Sequence, residues 1–174
     1  MLTGIEKFKD VVDTDLCDSL IRVMNLNIPN SLNRVHSQGQ NVICREINLQ
    51  LHSELDSAVF DVIGKVIELY KEKYPFFRVS GDTGYQLRKI TGDTRIHVDN
   101  ITKDYRNTSV ILGLNSDYEE GEFHFPYQDF STTVKRGEAI IFPVYFMYPH
   151  FVDAPIGSRY TINTWLQDSD TSFK

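Results

Sequence analysis

The stretch YPHFVDAPIGSRYTINTW, residues 148–165, carries the features that decide how this chain folds and what it can bind. It places His150 nine residues before Arg159. After Arg159 two sets of side chains alternate, which is the period of a strand with two different faces. One face would carry Arg159, Thr161, Asn163 and Trp165, and the other Tyr160, Ile162 and Leu166. The sequence therefore predicts a strand with one polar face that could line a site.

Other short segments with the same alternation surround this strand from residue 78 onward. They read YQLRKI, RIHVDN, TSVILGL, EFHFPY, EAIIFPV and HFVDA. Turn signals such as TGDT and KRGE separate them. Several short strands at regular spacing with glycine-containing turns are typical of a sandwich or barrel. We therefore expect a β core over about 78–168.

The first part of the chain, about 1–77, has the pattern of helices. Asp13 can cap a helix that begins near Leu16, and residues 53–75 repeat apolar side chains at helical spacing up to Pro75. The stretch between these helices, NIPNSLNRVHSQGQN, has the composition of a loop. The predicted fold class is α+β and mainly β, with supporting helices packed on a sandwich in one domain spanning 1–174.

The composition excludes several classes of protein. Eighteen basic and twenty-four acidic residues give a net charge of −6, which argues against loose binding to nucleic-acid phosphates. No apolar run approaches the length of a membrane span, and the first residues do not resemble a signal peptide.

Cys17 and Cys44 stand far apart without a CxxC pattern, so we expect reduced thiols and a cytoplasmic location. The oligomeric state cannot be predicted.

The segment RIHVDN and the stretch 148–165 together contain a set of side chains that could bind a metal ion. His97 and Asp99 are two residues apart, so on a strand both would point to the same face. His150 supplies a third donor far along the chain. Two histidines and one carboxylate form the facial triad of non-haem iron(II) oxygenases. Zinc hydrolases use the same donors, so the triad alone does not name the reaction.

Arg159 favours the oxygenase over the hydrolase. An arginine that points into a β-sandwich is costly unless a carboxylate pairs with it. A planar guanidinium suits the distal carboxylate of 2-oxoglutarate, which it can bind with two hydrogen bonds. The alternative is that Arg159 faces solvent while Tyr160 faces the core.

The segments HVDN, EGEFHFP and YPHFVDAPIGSRYTINTW together resemble the prolyl 4-hydroxylase-like branch of the 2-oxoglutarate/iron(II) oxygenases. The resemblance implies a double-stranded β-helix, or jelly roll, and the cofactor and co-substrates Fe(II), 2-oxoglutarate and dioxygen. It implies that His97, Asp99 and His150 are the metal ligands and catalytic centre, and that Arg159 binds 2-oxoglutarate. The reaction would hydroxylate a C–H bond while 2-oxoglutarate loses carbon dioxide to give succinate.

Two positions depart from that family's pattern. Many relatives carry a co-substrate-binding tyrosine on the strand before H-x-D, and the roughly matching residue here is Lys89, with Tyr85 or Gln86 as stand-ins on the same strand. A second tyrosine of some relatives falls near Gly113. We therefore expect the remaining co-substrate contacts to come from Tyr85, Thr161 and Asn163.

The sequence leaves the substrate open. A peptide or protein, possibly at proline, is the leading prediction, with residues 30–45 and 100–107 shaping its entry. His124 would touch the substrate if its strand face points inward. A free amino acid or other small molecule remains possible. Base demethylation is disfavoured, because that branch usually has a second arginine where Trp165 stands. A non-catalytic jelly-roll module is the remaining alternative.

Overall fold

Strands dominate the computed structural model of the protein, which describes residues 3–35, 42–100 and 105–168. The helices are α1 (Thr14–Leu26) and α2 (Ser53–Lys73). The strands are β1 (Glu6–Phe8), β2 (Leu32–Val35), β3 (Val42–Asn48), β4 (Gly81–Asp82), β5 (Gln86–Ile90), β6 (Thr94–His97), β7 (Arg106–Gly113), β8 (Glu119–Glu120), β9 (Phe123–Phe125), β10 (Phe130–Thr132), β11 (Ala139–Pro143), β12 (His150–Val152), β13 (Pro155–Ile156) and β14 (Arg159–Gln167).

The strands form a major and a minor antiparallel sheet. The major sheet has the order β1-β11-β7-β14-β5-β3-β2, and β4 pairs with β14 beside this path. The minor sheet has the order β10-β9-β12-β6, and β8 pairs with β13 in a separate ribbon. Strands that are distant in sequence are neighbours in both sheets, as in a jelly roll. The predicted jelly-roll fold class is confirmed.

Two apolar layers follow from the alternation along β14. Tyr160, Ile162 and Leu166 face α1 and α2 in the larger core. The opposite face of the sheet packs on the minor sheet through a smaller core that includes Phe125 and Phe142. The major sheet is thus covered by helices on one face and by the minor sheet on the other.

The helices form because their apolar residues recur on one side. In α2, Val59, Ile63, Val66 and Tyr70 are buried at spacings of three and four residues. In α1 the buried positions are Cys17, Leu20 and Met24. Neither helix of the described ranges is both long and apolar enough to span a membrane.

The N-terminal part is less helical than its sequence predicts. β1, β2 and β3 all join the major sheet, and β2 occupies part of a stretch that reads as a loop. The pairing of β2 with β3 extends the sheet beyond β5, and so builds one wall of the space between the two sheets. Residues 36–41 of the predicted substrate-entry segment, including His36, lie outside the described residues, as do residues 101–104.

Candidate active site

The three predicted metal ligands converge where β6 meets β12. His97 and His150 lie opposite each other in the register of these strands, and their ring centroids are 4.4 Å apart. Asp99 lies just beyond the end of β6. Its Oδ1 is 3.2 Å from Nε2 of His97, and its Oδ2 is 3.8 Å from Nε2 of His150. One donor atom from each residue lies within 4.8 Å of the others, which suits a single metal ion.

Backbone carbonyls orient both imidazole rings. Nδ1 of His97 is 2.7 Å from the carbonyl oxygen of Arg95, and Nδ1 of His150 is 3.2 Å from that of Tyr148. Because a carbonyl oxygen only accepts, Nδ1 carries a proton in each ring, and Nε2 is the ring atom directed at the site, where it can give up its own proton to bind a metal. A second hydrogen bond of this kind is what holds a metal-binding histidine in one tautomer and orientation.

The carboxylate of Asp99 is held in its ionised form. The hydroxyl of Ser109 on β7 donates a hydrogen bond of 2.6 Å to Oδ2. Burial alone would raise the pKa of Asp99, but the hydrogen bond with His97, the charge of His150 and the contacts with Ser109 and Trp165 lower it well below its usual range. An anionic ligand is therefore ready to bind a cation.

Arg159 lies deep in the space between the two sheets. The residue is 3% exposed, and its Nη1 donates a hydrogen bond of 2.8 Å to the carbonyl oxygen of Gly121. Its Nε has no hydrogen-bond partner, and its guanidinium lies 4.9 Å from the ring centre of Phe123. Among the described residues, no carboxylate pairs with it. Burial is the largest of the causes that lower its pKa to about 10, so the group stays charged at neutral pH.

A cavity connects Arg159 with the three metal-binding side chains. The lining includes Arg88, Asn163 and Trp165, in addition to the four predicted residues. Thr161 lies on the same face of β14 as Arg159 and is fully buried. Its hydroxyl donates a hydrogen bond of 2.7 Å to Oδ1 of Asn163. Asn163 therefore meets the cavity, with Thr161 fixing its amide.

The prediction that Tyr85 binds the co-substrate is wrong. Tyr85 is 3% exposed in the core beneath the helices, and its hydroxyl donates to Asp82. It stands on the opposite face of the sheet from the cavity, because it lies three positions before the inward-facing Arg88 and residues along a strand alternate between the two faces. Lys89 faces the helical side as well, where its ammonium lies 5.4 Å from the ring centre of Tyr160.

Gly113 carries no side chain because none would fit. A Cβ atom there would lie 2.3 Å from the carbonyl oxygen of Lys135 and 2.6 Å from that of Val134. The backbone of β7 and the 134–135 segment approach too closely for any larger residue. The inward-facing residue of β7 that does line the cavity is Ile111.

His124 does not face the cavity. It lies on the outer surface of the minor sheet, stacked on Phe151, with Nδ1 2.8 Å from the hydroxyl of Ser131 and Nε2 2.6 Å from Asp153. These partners satisfy both ring nitrogens away from the site. The idea that His124 touches the substrate is not supported by this position.

Sequence reasoning missed several residues that surround the site. Ser109 is an ordinary strand residue in sequence, and only the pairing of β7 with β14 brings it to Asp99. Arg88 and Arg34 line the cavity, and both bind the buried carboxylate of Glu46. Alternation within QLRKI places Arg88 and Lys89 on opposite faces of the strand, but it does not show which of the two faces the cavity.

The donors fit the cofactor and co-substrate of an oxygenase. Two imidazoles and one carboxylate are the ligand set for non-haem iron(II), and a buried guanidinium that no described carboxylate pairs with suits a carboxylate ligand. Residues 85–167 match the 2OG-Fe(II) oxygenase superfamily. This segment carries the sequence pattern of that superfamily. The enzyme is thus a 2-oxoglutarate-dependent dioxygenase, which uses Fe(II), 2-oxoglutarate and dioxygen.

Solved structures of prolyl hydroxylases share the fold of this oxygenase. A prolyl hydroxylase from Trichoplax adhaerens, in complex with a hypoxia inducible factor peptide, is 15% identical with a TM-score of 0.72, covering 95% of this chain and 84% of its own. The viral collagen prolyl hydroxylase of Paramecium Bursaria Chlorella virus-1, as its 2OG complex, is 17% identical with a TM-score of 0.71, covering 94% and 96%. A Pseudomonas putida prolyl-4-hydroxylase is 16% identical with a TM-score of 0.68, covering 94% and 92%. No curated protein matches the sequence significantly.

Proposed function

We propose that His97, Asp99 and His150 hold the iron(II) and that Arg159 binds the distal carboxylate of 2-oxoglutarate. The observation that carries this assignment is that one cavity joins a pre-oriented donor set to a buried guanidinium that no described carboxylate pairs with. Iron(II) and 2-oxoglutarate, when bound, supply oxygen activation coupled to decarboxylation of the co-substrate to succinate.

The remaining side chains bind, orient and protect. Ser109 holds the Asp99 carboxylate, and the carbonyls of Arg95 and Tyr148 hold the two imidazoles. The amide of Asn163, whose oxygen accepts a hydrogen bond from Thr161, would donate to the co-substrate from the same face of β14 as Arg159. Phe123 beside Arg159 and Phe125 beside His150 are both buried, and they keep bulk water from these charged groups, which strengthens the electrostatic contacts of the site.

We propose a peptidyl substrate that is hydroxylated at an unactivated C–H bond, with proline as the first residue to test. The similar structures are prolyl hydroxylases, and one of them holds a peptide. In this chain β6 is an edge strand of the minor sheet, and the His97 side chain is 41% exposed. An extended peptide can reach the metal ligands along this open edge.

The reaction is tested by succinate formation. Protein purified without oxygen, loaded with iron(II) and given 2-oxoglutarate and air, should release succinate, and proline-containing peptides should raise the rate and gain one oxygen atom by mass spectrometry. His97→Ala should abolish turnover. His124→Ala is the matched control, since that histidine lies on the outer face of the minor sheet. Absence of both succinate and 2-oxoglutarate binding would exclude the proposed oxygenase chemistry of this site.

The two cysteines support a cytoplasmic location, which we propose for the enzyme. Cys17 and Cys44 are both buried and unpaired. Free buried thiols are typical of proteins in a reducing compartment.

A further inference from the structure

Arg88 is a charged side chain of the cavity to which the proposed function gives no task. It lies on the inward face of β5 opposite Thr161, while Arg159 lies opposite Ile90, two residues along the same strand. Its guanidinium lies 5.5 Å from the ring centre of Trp165, which in turn borders Asp99. The order along the cavity is therefore Arg159, then Arg88, then Trp165 and the metal-binding side chains.

The surroundings of Arg88 leave excess positive charge. Glu46 accepts hydrogen bonds from Arg88 at 2.7 Å and from Arg34 at 3.0 and 2.8 Å. The second contact of Arg88 is the neutral amide oxygen of Gln86. Two guanidinium groups thus share one carboxylate. Asp93 also borders the cavity and has interactions of its own.

Arg88 also lies close enough to Arg159 to affect it. Burial is the largest cause that lowers the pKa of Arg159, and the charge of Arg88 adds to it.

We propose that Arg88 is a second anchor for the co-substrate: it binds the carboxylate of 2-oxoglutarate next to the keto group, while Arg159 binds the distal carboxylate. The inference rests on the proposed function of the site. A dicarboxylate brings two negative charges. Besides Arg34, the cavity offers two guanidinium groups: that of Arg159, which no described carboxylate pairs with, and that of Arg88, which shares Glu46 with Arg34. Because the ligand must reach from Arg159 to the metal-binding side chains, it passes Arg88.

Trp165 allows a binding test that does not depend on turnover. It is the only tryptophan in the sequence and borders the cavity. Protein loaded with redox-inactive Zn²⁺ is titrated with 2-oxoglutarate, followed by tryptophan fluorescence and by calorimetry. The second probe is 2-oxobutyrate, which keeps the keto acid end and lacks the distal carboxylate.

The two arginines should respond differently to the two probes. Arg88→Gln should weaken binding of both probes by roughly tenfold or more, the size expected for loss of a charged hydrogen bond. Arg159→Gln should weaken 2-oxoglutarate strongly and change 2-oxobutyrate little. Arg45→Gln is the matched control, because Arg45 lies beside Glu46 on β3 but bonds Asn33 at the surface.

The variants separate a binding role from a structural one. Arg88→Gln keeps the two hydrogen bonds of Arg34 to Glu46, so the fold has a remaining cation for that carboxylate. Arg34→Gln leaves Arg88 fully neutralised by Glu46, and it should weaken both probes less than Arg88→Gln. If folded Arg88→Gln binds both probes as tightly as the wild type, the inference is wrong and only the assignment of Arg159 survives. If the Zn²⁺-loaded wild type binds neither probe, the proposed function of the site is itself wrong, independently of the role of Arg88.

Discussion

Ser109 shows how a residue outside the ligand set controls the site. Its hydroxyl is the only described side-chain hydroxyl bonded to Asp99, and it fixes the oxygen that faces His150. Ser109→Ala should therefore lower metal affinity by roughly 10- to 100-fold, as expected when an outer hydrogen bond to a ligand is lost. Competition with a chelator measures the change. Ser131→Ala, which removes a hydroxyl bonded to His124 instead, should leave metal affinity unchanged.

Arg159 links binding to stability. Replacing it by Met removes a buried charge that has no anionic partner among the described residues, so the protein without co-substrate should be as stable as the wild type or more so. Excess 2-oxoglutarate should raise the unfolding free energy of the Zn²⁺-loaded wild type by about 2.7 kcal/mol at 100 times its Kd, and that of Arg159→Met by much less at the same concentration. Thermal denaturation with and without 2-oxoglutarate measures both. An equal shift in the two proteins would contradict the assigned role.

The sequence predicts site residues that form a rare combination of side chains, and it misses those whose residue type is common on any strand. His97, Asp99, His150 and Arg159 form a rare combination of donors, and the structure brings all four to one cavity. Tyr85 is a tyrosine near the expected place, but alternation turns it to the helical core. The prediction failed because the face to which a strand residue points depends on a register that the motif does not fix.

The helix α2 offers a test of how the sheet is supported. Ile63 is 2% exposed in the core between α2 and the major sheet, whereas Phe60 on the same helix is 62% exposed. Ile63→Ala should lower the unfolding free energy by about 2–5 kcal/mol, because it leaves a cavity as well as losing apolar contact. Phe60→Ala should change it by less than about 0.5 kcal/mol. Urea unfolding curves compare the two variants. Similar losses would mean that α2 packs by another face.

The ion-pair network on β2, β3 and β5 makes a pH prediction. Burial raises the pKa of Glu46, but the contacts with Arg34 and Arg88 outweigh it, and the net pKa is lowered. A lowered carboxyl pKa adds stability above the unfolded value near 4.5, and that stability is lost as the pH falls further. Glu46→Gln should therefore lower stability at neutral pH by about 3–5 kcal/mol and flatten the acid side of the stability curve. Unfolding measured across acidic pH tests the slope, and a slope identical to that of the wild type would argue against the network.

The sequence predicts the strands of the jelly roll well and those of the N-terminal part poorly. The segments after residue 78 alternate clearly, and β5, β7, β11 and β14 lie where that pattern puts them. The inward face of β3 carries Cys44 and the charged Glu46, so its apolar alternation is broken. From sequence alone a glutamate such as Glu46 is expected at the surface. Its burial is possible only because arginines on the two neighbouring strands pair with it.

The molecule should unfold as one unit because β14 belongs to both of its layers. Trp165 faces the cavity, and Ile162 and Leu166 on the same strand pack under the helices. Tryptophan fluorescence and far-ultraviolet circular dichroism should report the same midpoint in urea, since loss of one layer exposes the other. Two separated transitions would show that the helices and the sandwich fold independently.

The buried, unpaired Arg159 has a consequence for the life of the protein in a cell. A cation that is enclosed between two sheets and that no described carboxylate pairs with disfavours the folded state, and a bound carboxylate should offset that cost. Proteases degrade the small unfolded fraction, and that fraction shrinks as a bound metabolite accumulates. The abundance of this enzyme should then rise with the concentration of 2-oxoglutarate around it.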